Sequence, residues 1–424
     1  MESRKQPEVR FVGYTDDWEQ RKVQWFLDES IIEPPMDGNH GEKHPKVSDY
    51  TRNGIPFLMA KDIKNNVVDI MNCTFISEAR AEKLDKGFAK NGDVLITHKA
   101  TIGEVGILND LVTKYAVLTP QVTYYRILNY SKLSRNFLSI AFCSQNFQKE
   151  MKEIATQSTR SYIGITEQRK LNITFPKDIV EQQAIGSFFH QLDNTIALHQ
   201  RKLELLKEQK KAFLQKMFPK AGANTPEVRF AGFTDDWKER KLGEISNLSS
   251  SKRIHLSDYV ENGIPFYRGS EISSGGIVGT QELFISRKLY QQIKEKYGVP
   301  KENDLLITAV GTLGNIWKVD NRKFYYKDGN LIRISDLEAE TDYIFTYLND
   351  GIGKDRLINS AAGSNQKALT MAKMNLVDVS LPSKEEQQKI GSFFKQLDDT
   401  IALNQKELDL LKETKKGFLQ KMFV

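Results

Sequence analysis

Two polar stretches carry the side chains best suited to reading DNA bases. Residues 157–166 (QSTRSYIGIT) supply Arg160 and Tyr162, and residues 363–370 (GSNQKALT) supply Asn365, Gln366 and Lys367. Arginine makes paired hydrogen bonds to guanine, and asparagine or glutamine does the same to adenine. Tyr162 can stack on a base or bond a phosphate. Arg52, Lys61, Lys64, Lys99 and Arg268 are candidates for phosphate contacts, which place a protein on the duplex without specifying sequence. For each cation taken singly the competing reading is solvated surface charge; the loops as sets favour DNA.

Catalytic chemistry is thin by comparison. No G-x-x-x-x-G-K-[ST] phosphate loop is present, and Gly92, Gly103 and Gly106 do not form a dinucleotide fingerprint. The Pro34-Pro35 pair lacks both the aromatic residue and the glycine-rich cofactor loop of an amino-methyltransferase. His40 and His44 are four apart, but Gly38, Gly41 and Pro45 argue against a helix that would align them on a metal. Asp16-Asp17 and Asp235-Asp236 read as turn formers rather than converging acids. No catalytic residue, metal site or cofactor is expected on this chain.

The 424 residues allow two or three domains, and Lys plus Arg exceed Asp plus Glu by 61 − 55 = 6. A sequence pI near 8.9 permits nucleic-acid binding and does not demand it. Two cysteines, Cys73 and Cys143, argue for a reducing compartment, and no apolar run reaches membrane-spanning length; a cytoplasmic protein with no membrane partner is expected.

The loops must be positioned by what surrounds them, and most of that is duplicated. Residues 181–218 (EQQAIGSFFHQLDNTIALHQRKLELLKEQKKAFLQKMF) return at 386–423, with 29 of 38 positions identical. Apolar residues step by four and three in each copy, the rule for a helix with one sticky seam. The first seam runs Ile185, Phe189, Leu192, Ile196, His199, Leu203, Leu206; the second runs Ile390, Phe394, Leu397, Ile401, Asn404, Leu408, Leu411. His199 and Asn404 share one seam position, and Lys210 and Lys415 another; a polar seam residue fixes register at a cost in stability. At 1.5 Å per residue each helix is roughly 57 Å long. A helix with such a seam needs a partner, so the two copies are expected to pack together.

Other pieces repeat as well. PEVRFVGYTDDWEQRK (7–22) returns as PEVRFAGFTDDWKERK (226–241), each ending in a turn and a tryptophan expected to pack (Trp18, Trp237). SDYTRNGIPFLMAKDI (48–63) matches SDYVENGIPFYRGSEI (257–272), where Asn-Gly and Ile-Pro-Phe predict a turn into an edge strand. Residues 93–97 (DVLIT) match 304–308 (DLLIT), a short buried strand followed by a glycine-bearing turn. A helical segment near 134–154 and another near 342–358 precede the polar loops, and strands at 173–176 and 379–382 follow them. PKAGANT (219–225) marks the junction between the halves.

At these residues the chain resembles the specificity subunit of type I restriction–modification systems. The duplicated EQQxIGSFFxQLDxTIALxQ helix, the repeated PEVRFxGxTDDW and the paired (G/N)-D-hydrophobic-L-I-T strands carry the likeness over essentially the whole chain; Asn303 stands where the first copy keeps Gly92. The resemblance implies an α+β fold: two pseudo-symmetric α/β target-recognition domains separated by two long helices forming an antiparallel coiled coil. The expected boundaries are 1–180 and 226–385 for the recognition domains, 181–218 and 386–424 for the spacer helices, and 219–225 for the linker. It implies that each domain reads half of an interrupted target in double-stranded DNA. Methylation and cleavage belong to partners: two modification subunits using S-adenosylmethionine, and restriction subunits, joined through the complex, using ATP and magnesium.

A twofold axis relating two DNA readers lies perpendicular to the duplex, which makes spacer helices along the DNA antiparallel and brings His199 and Asn404 within reach of each other. Half-sites about one helical turn apart, roughly 34 Å or less, are expected. The unlike middles of the halves fit different half-sites, and the exposed helix face of Arg201, Lys202, Glu204, Lys207 and Glu208 is a candidate contact for the modification subunit. The alternatives are a stand-alone bipartite DNA-binding protein, a self-contained DNA methyltransferase, and a coiled-coil scaffold without nucleic acid.

Overall fold

The computed structural model describes residues 6–64, 66–156, 162–220, 222–273, 276–280, 282–361 and 367–423. The chain forms two compact units, 1–201 with 405–424, and 202–404. Each unit therefore combines one globular part with a portion of both long helices.

In the first unit the strand Val94–Lys99, buried as far as His98, lies inside a six-stranded sheet. Its order is Met36–Asp37, Val122–Tyr125, Val94–Lys99, Thr101–Ile107, Asn66–Val68, Ile63–Lys64. A five-stranded sheet contains Ile55–Leu58 between Thr74–Ile76 and Ala116–Leu118. The second unit repeats this in reduced form: Leu305–Thr308 sits between Leu331–Ser335 and Ile316–Lys318, and Ile264–Tyr267 between Phe284–Ile285 and Tyr325–Tyr326. Strands fully buried on both faces read as continuous apolar runs, and VLIT and LLIT are such runs. No helix among the described residues is long and apolar enough to cross a membrane.

Two local expectations change. Ile55–Leu58 and Ile264–Tyr267 are interior strands, not edges. The parallel pairing with Ala116–Leu118 begins at Phe57, one residue beyond Pro56, and that with Tyr325–Tyr326 begins at Phe266, beyond Pro265. The missing proline N–H therefore falls outside each parallel ladder. The helical segments before the polar loops are each two helices, Arg135–Cys143 then Gln145–Thr156, and Thr341–Asn349 then Gly351–Asn359. Ser144 and Asp350 take extended backbone at the breaks, and their side chains accept from Phe147 N and Gly351 N. Asn303, in place of Gly92, keeps the same turn: φ is +72° and +94°, and asparagine tolerates the left-handed region.

The repeated helices span Ile179–Lys216 and Lys384–Lys421, 38 residues each. Within the first unit, Phe188 meets Phe418 (5.0 Å), Asp193 meets Lys415 (2.5 Å) and His199 meets Glu407 (3.6 Å). Within the second, Lys210 meets Asp398 (2.6 Å) and Phe213 meets Phe393 (5.1 Å). One residue number rises as its partner falls, so the helices run antiparallel. Every named seam position is buried or half-buried. The seam lysines, which looked anomalous, are each neutralised by the other helix's aspartate. The polar pairing of His199 with Asn404 stays an expectation.

The first third of each seam does a different job from the one its heptads suggest. Ile185 and Phe189 join the globular core of the first unit with Trp18, Phe137 and Phe423; Ile390 and Phe394 join that of the second with Trp237, Tyr343 and Phe218. Buried polar groups explain the invariant EQQ. Glu181 accepts from Arg10 Nε and Nη2 at 2.6 and 2.9 Å, and Glu386 from Arg229 at 2.7 and 2.8 Å. Gln182 accepts from Ser134 N and donates to Pro176 O; Gln387 accepts from Glu340 N and donates to Pro382 O. One residue before each arginine, Val9 N donates to Lys421 O and Val228 N to Lys216 O. The PEVR segment thus ties the C-terminus of one helix to the N-terminus of the other. Short ladders, Glu19–Lys22 with Asn172–Phe175 and Lys238–Lys241 with Asp378–Leu381, close each globular part beside it.

Gly186 and Gly391 let the helix approach the next one closely. A Cβ at Gly186 would lie 2.7 Å from Asn136 Cβ and Phe137 N, and at Gly391 2.8 Å from Tyr343 N. Gly186→Ala should cost about 1–3 kcal/mol by forcing these helices apart, read as a lower urea midpoint at unchanged slope. Glu386 has no side-chain exposure and Arg229 15%. Arg229→Ala, which strands a buried carboxylate, should cost about 3–5 kcal/mol, and the double replacement Arg229→Met/Glu386→Met less; equal losses would contradict the clasp.

Candidate nucleic-acid interface

Each buried central strand ends at the loop expected to read bases, and the backbone wiring is the same in both units. His98 N donates to Gln121 O (2.9 Å) and its carbonyl accepts from Ile163 N (3.0 Å). Ala309 N donates to Asn330 O (2.8 Å) and its carbonyl accepts from Leu369 N (2.9 Å). Thr97 and Thr308 close the following turn through their hydroxyls, accepting from Glu104 N and Asn315 N at 3.0 and 2.9 Å. The repeated I-T therefore anchors a turn, with Gly103 and Gly314 at φ of +89° and +74°.

The side chains on this common frame are unlike. The first unit presents His98, Lys99, Tyr162 and Gln121; the second presents Ala309, Val310, Lys367 and Asn330. Lys99 Nζ lies 5.8 Å from the centre of the Tyr162 ring, an exposed cation on an aromatic face. His98 is buried against the same tyrosine, ring centres 5.5 Å apart. Burial pulls its pKa down from 6.5 to about 4. The neutral ring places Nδ1 2.9 Å from Ile163 O, so Nδ1 carries the proton and Nε2 is an acceptor. Burial also pushes the Tyr162 phenol up, keeping it neutral.

The structure brings Lys99 and Tyr162 together and leaves other expected residues dispersed. Arg52 is exposed on the turn before Ile55–Leu58; Lys61 and Lys64 are exposed around Ile63–Lys64; Lys367 is exposed beside the end of Leu305–Thr308. Arg268 is held by Glu271 and Glu282 at 3.4 and 2.8 Å, so much of its charge is already answered. Arg160, Asn365 and Gln366 lie outside the described residues. His40, weighed from sequence only as a metal ligand, instead contacts Asp37 (2.7 Å), which Lys86 also pairs. Burial pulls the Asp37 pKa up, but these hydrogen bonds outweigh it and hold the carboxylate below its usual range. Glu33, before the Pro-Pro pair, bonds Arg126 at 2.8 Å, and Arg126 also grips Asp93. Gln121 and Asn330 went unrecognised from sequence. Their signal was position alone: each ends the short turn after a strand, TPQ in one unit and KDGN in the other.

Comparison with known proteins agrees with this architecture. Residues 38–208 and 234–413 match the family described as the type I restriction modification DNA specificity domain. A Methanocaldococcus jannaschii protein named as a type I restriction enzyme specificity subunit, MjaX, is 23% identical over 418 residues, covering 95% of this chain and 92% of its own. A Haemophilus influenzae specificity subunit is 30% identical over 153 residues, 36% of this chain and 38% of its own. The crystal structure of the type I restriction–modification S subunit from M. genitalium has the same fold, with a TM-score of 0.64 at 18% identity and 99% of both chains covered. With two family domains set on one repeated frame, the chain belongs to the type I restriction–modification DNA specificity family.

Proposed function

We propose that the chain reads an interrupted DNA target, each globular part inspecting one half, and carries no catalysis of its own. The observation that supports this most directly is the shared wiring at His98 and Ala309 beneath unlike side chains. A common frame presents its readers to the groove in one geometry, and changed side chains then change the bases preferred. Lysines around the frame supply the sequence-independent, salt-sensitive part of binding. In this reading methylation is performed by modification subunits with S-adenosylmethionine, and cleavage by restriction subunits with ATP and magnesium.

The long helices serve two purposes in this proposal. Their length sets the unread gap, and their outer faces dock the modification subunits. Four leucines support the docking. Leu198 and Leu205, seven residues apart on one helix, are 68% and 50% exposed; their counterparts Leu403 and Leu410 are 59% and 67% exposed. Seven-residue spacing keeps both on one face of a helix, the pattern for a further helix to pack there. The same positions recur in both copies, as binding two identical partners requires.

Two outcomes test these roles. Leu198→Glu/Leu205→Glu should leave the urea midpoint of the chain unchanged and weaken assembly with modification subunits at least tenfold, measured by titration calorimetry. Unchanged assembly would remove the docking face. Matched insertion of one heptad in both helices adds about 10 Å, so the unread gap should grow by about three base pairs with both half-sites intact. A methylome with the original gap would remove the ruler.

A further inference from the structure

A recess in the first unit lies beside the reading frame. It has a volume of about 390 Å³ and is lined by His44, Tyr50, Met59, Lys99, Thr119 and Gln121, among others. Two of these carry buried polar atoms without a hydrogen-bond partner, Thr119 Oγ1 and His44 Nδ1; a third such atom, Nε2 of His98, belongs to the residue next to Lys99. Thr119 is only 4% exposed. Buried polar atoms are nearly always bonded, and leaving one unpaired is costly, so the two on residues lining this recess point to a missing partner. Burial keeps His44 and His98 neutral, which gives the site acceptors rather than fixed charge. Tyr50, Met59 and Pro120 add flat or soft apolar surface, and Lys99 brings a cation to the rim.

We infer that this recess receives a single nucleobase unstacked from the first half-site. This rests on the DNA-reading function proposed above and names the ligand of one part of it. An unstacked base is recognised by hydrogen bonds along its Watson–Crick edge and by stacking on aromatic or apolar side chains, and the recess offers both beside a lysine placed for phosphate. The second unit differs at the matching positions: Ala309 and Val310 replace His98 and Lys99, and residues 327–330 (KDGN) replace 119–121 (TPQ).

The test places one fluorescent base analogue at a time through the first half-site (2-aminopurine for adenine, pyrrolocytosine for cytosine, 6-methylisoxanthopterin for guanine). Each duplex is bound by the full chain alone, so that no modification subunit can unstack a base. One position should brighten severalfold on binding. Thr119→Val should lose most of that rise and melt no lower than the parent, because its only loss is an unpaired hydroxyl. Met59→Trp, which fills the recess, should abolish it. Specific binding with no position brightening, or brightening that survives both variants, overturns the inference. Loss of all sequence-specific binding by the parent chain would instead overturn the underlying DNA-reading function, and the recess with it.

Discussion

A buried arginine–carboxylate pair at the root of each long helix is the constraint on which the rest depends. Glu181 and Glu386 are taken out of water at helix N-termini, where the helix dipole favours negative charge. That position is tolerable only because Arg10 and Arg229 arrive with two hydrogen bonds each. The arginines arrive there because the valine before each one caps the other helix's C-terminus. One short segment thus fixes three things: where a helix starts, where its partner ends, and where the globular part begins. The glycines at 186 and 391 and the aromatic pairs Trp18–Phe423 and Phe218–Trp237 then fill the joint closely. Antiparallel running of the helices follows, since each unit receives one helix by its C-terminus and sends out the other by its N-terminus.

Beyond this joint the two globular parts are free to differ, and they differ where a reader should. The backbone hydrogen bonds that hold the polar loops against the strand ends involve no side chain, so a histidine can become an alanine without moving the loop. The threonines that do use their side chains, Thr97 and Thr308, are the ones the two copies share. The residues whose side chains hold the turns are repeated, and the residues exposed on the same backbone frame are not.

Much of the architecture was legible before any coordinates. The heptads, the tryptophans and the DVLIT and DLLIT strands were readable because periodicity and burial leave local traces. The antiparallel direction followed from symmetry, and the lysines at 210 and 415 were visible as anomalies, although their aspartate partners were not. What the sequence concealed was long-range polar work. Nothing near Glu181 announces Arg10, because a hydrogen bond across more than a hundred residues has no local period. The same blindness made Ile-Pro-Phe look like an edge, since the proline's tolerance depends on where a distant strand begins to pair. The polar loops were picked out by composition. Gln121, Asn330 and the recess around Thr119 were not, because a turn residue's value there depends on what the fold sets beside it.

The most direct measurement exchanges the readers while keeping both joints. A chain carrying residues 242–377 in place of 23–171 retains the paired short strands, the arginine clasps and both helices. Expressed with its modification subunit, it should give a methylome whose target is symmetric, with the second half-site in both arms and the gap unchanged. Methylation of the original asymmetric target, or loss of all specific methylation by a chain that still folds and assembles, would contradict a common frame bearing interchangeable readers.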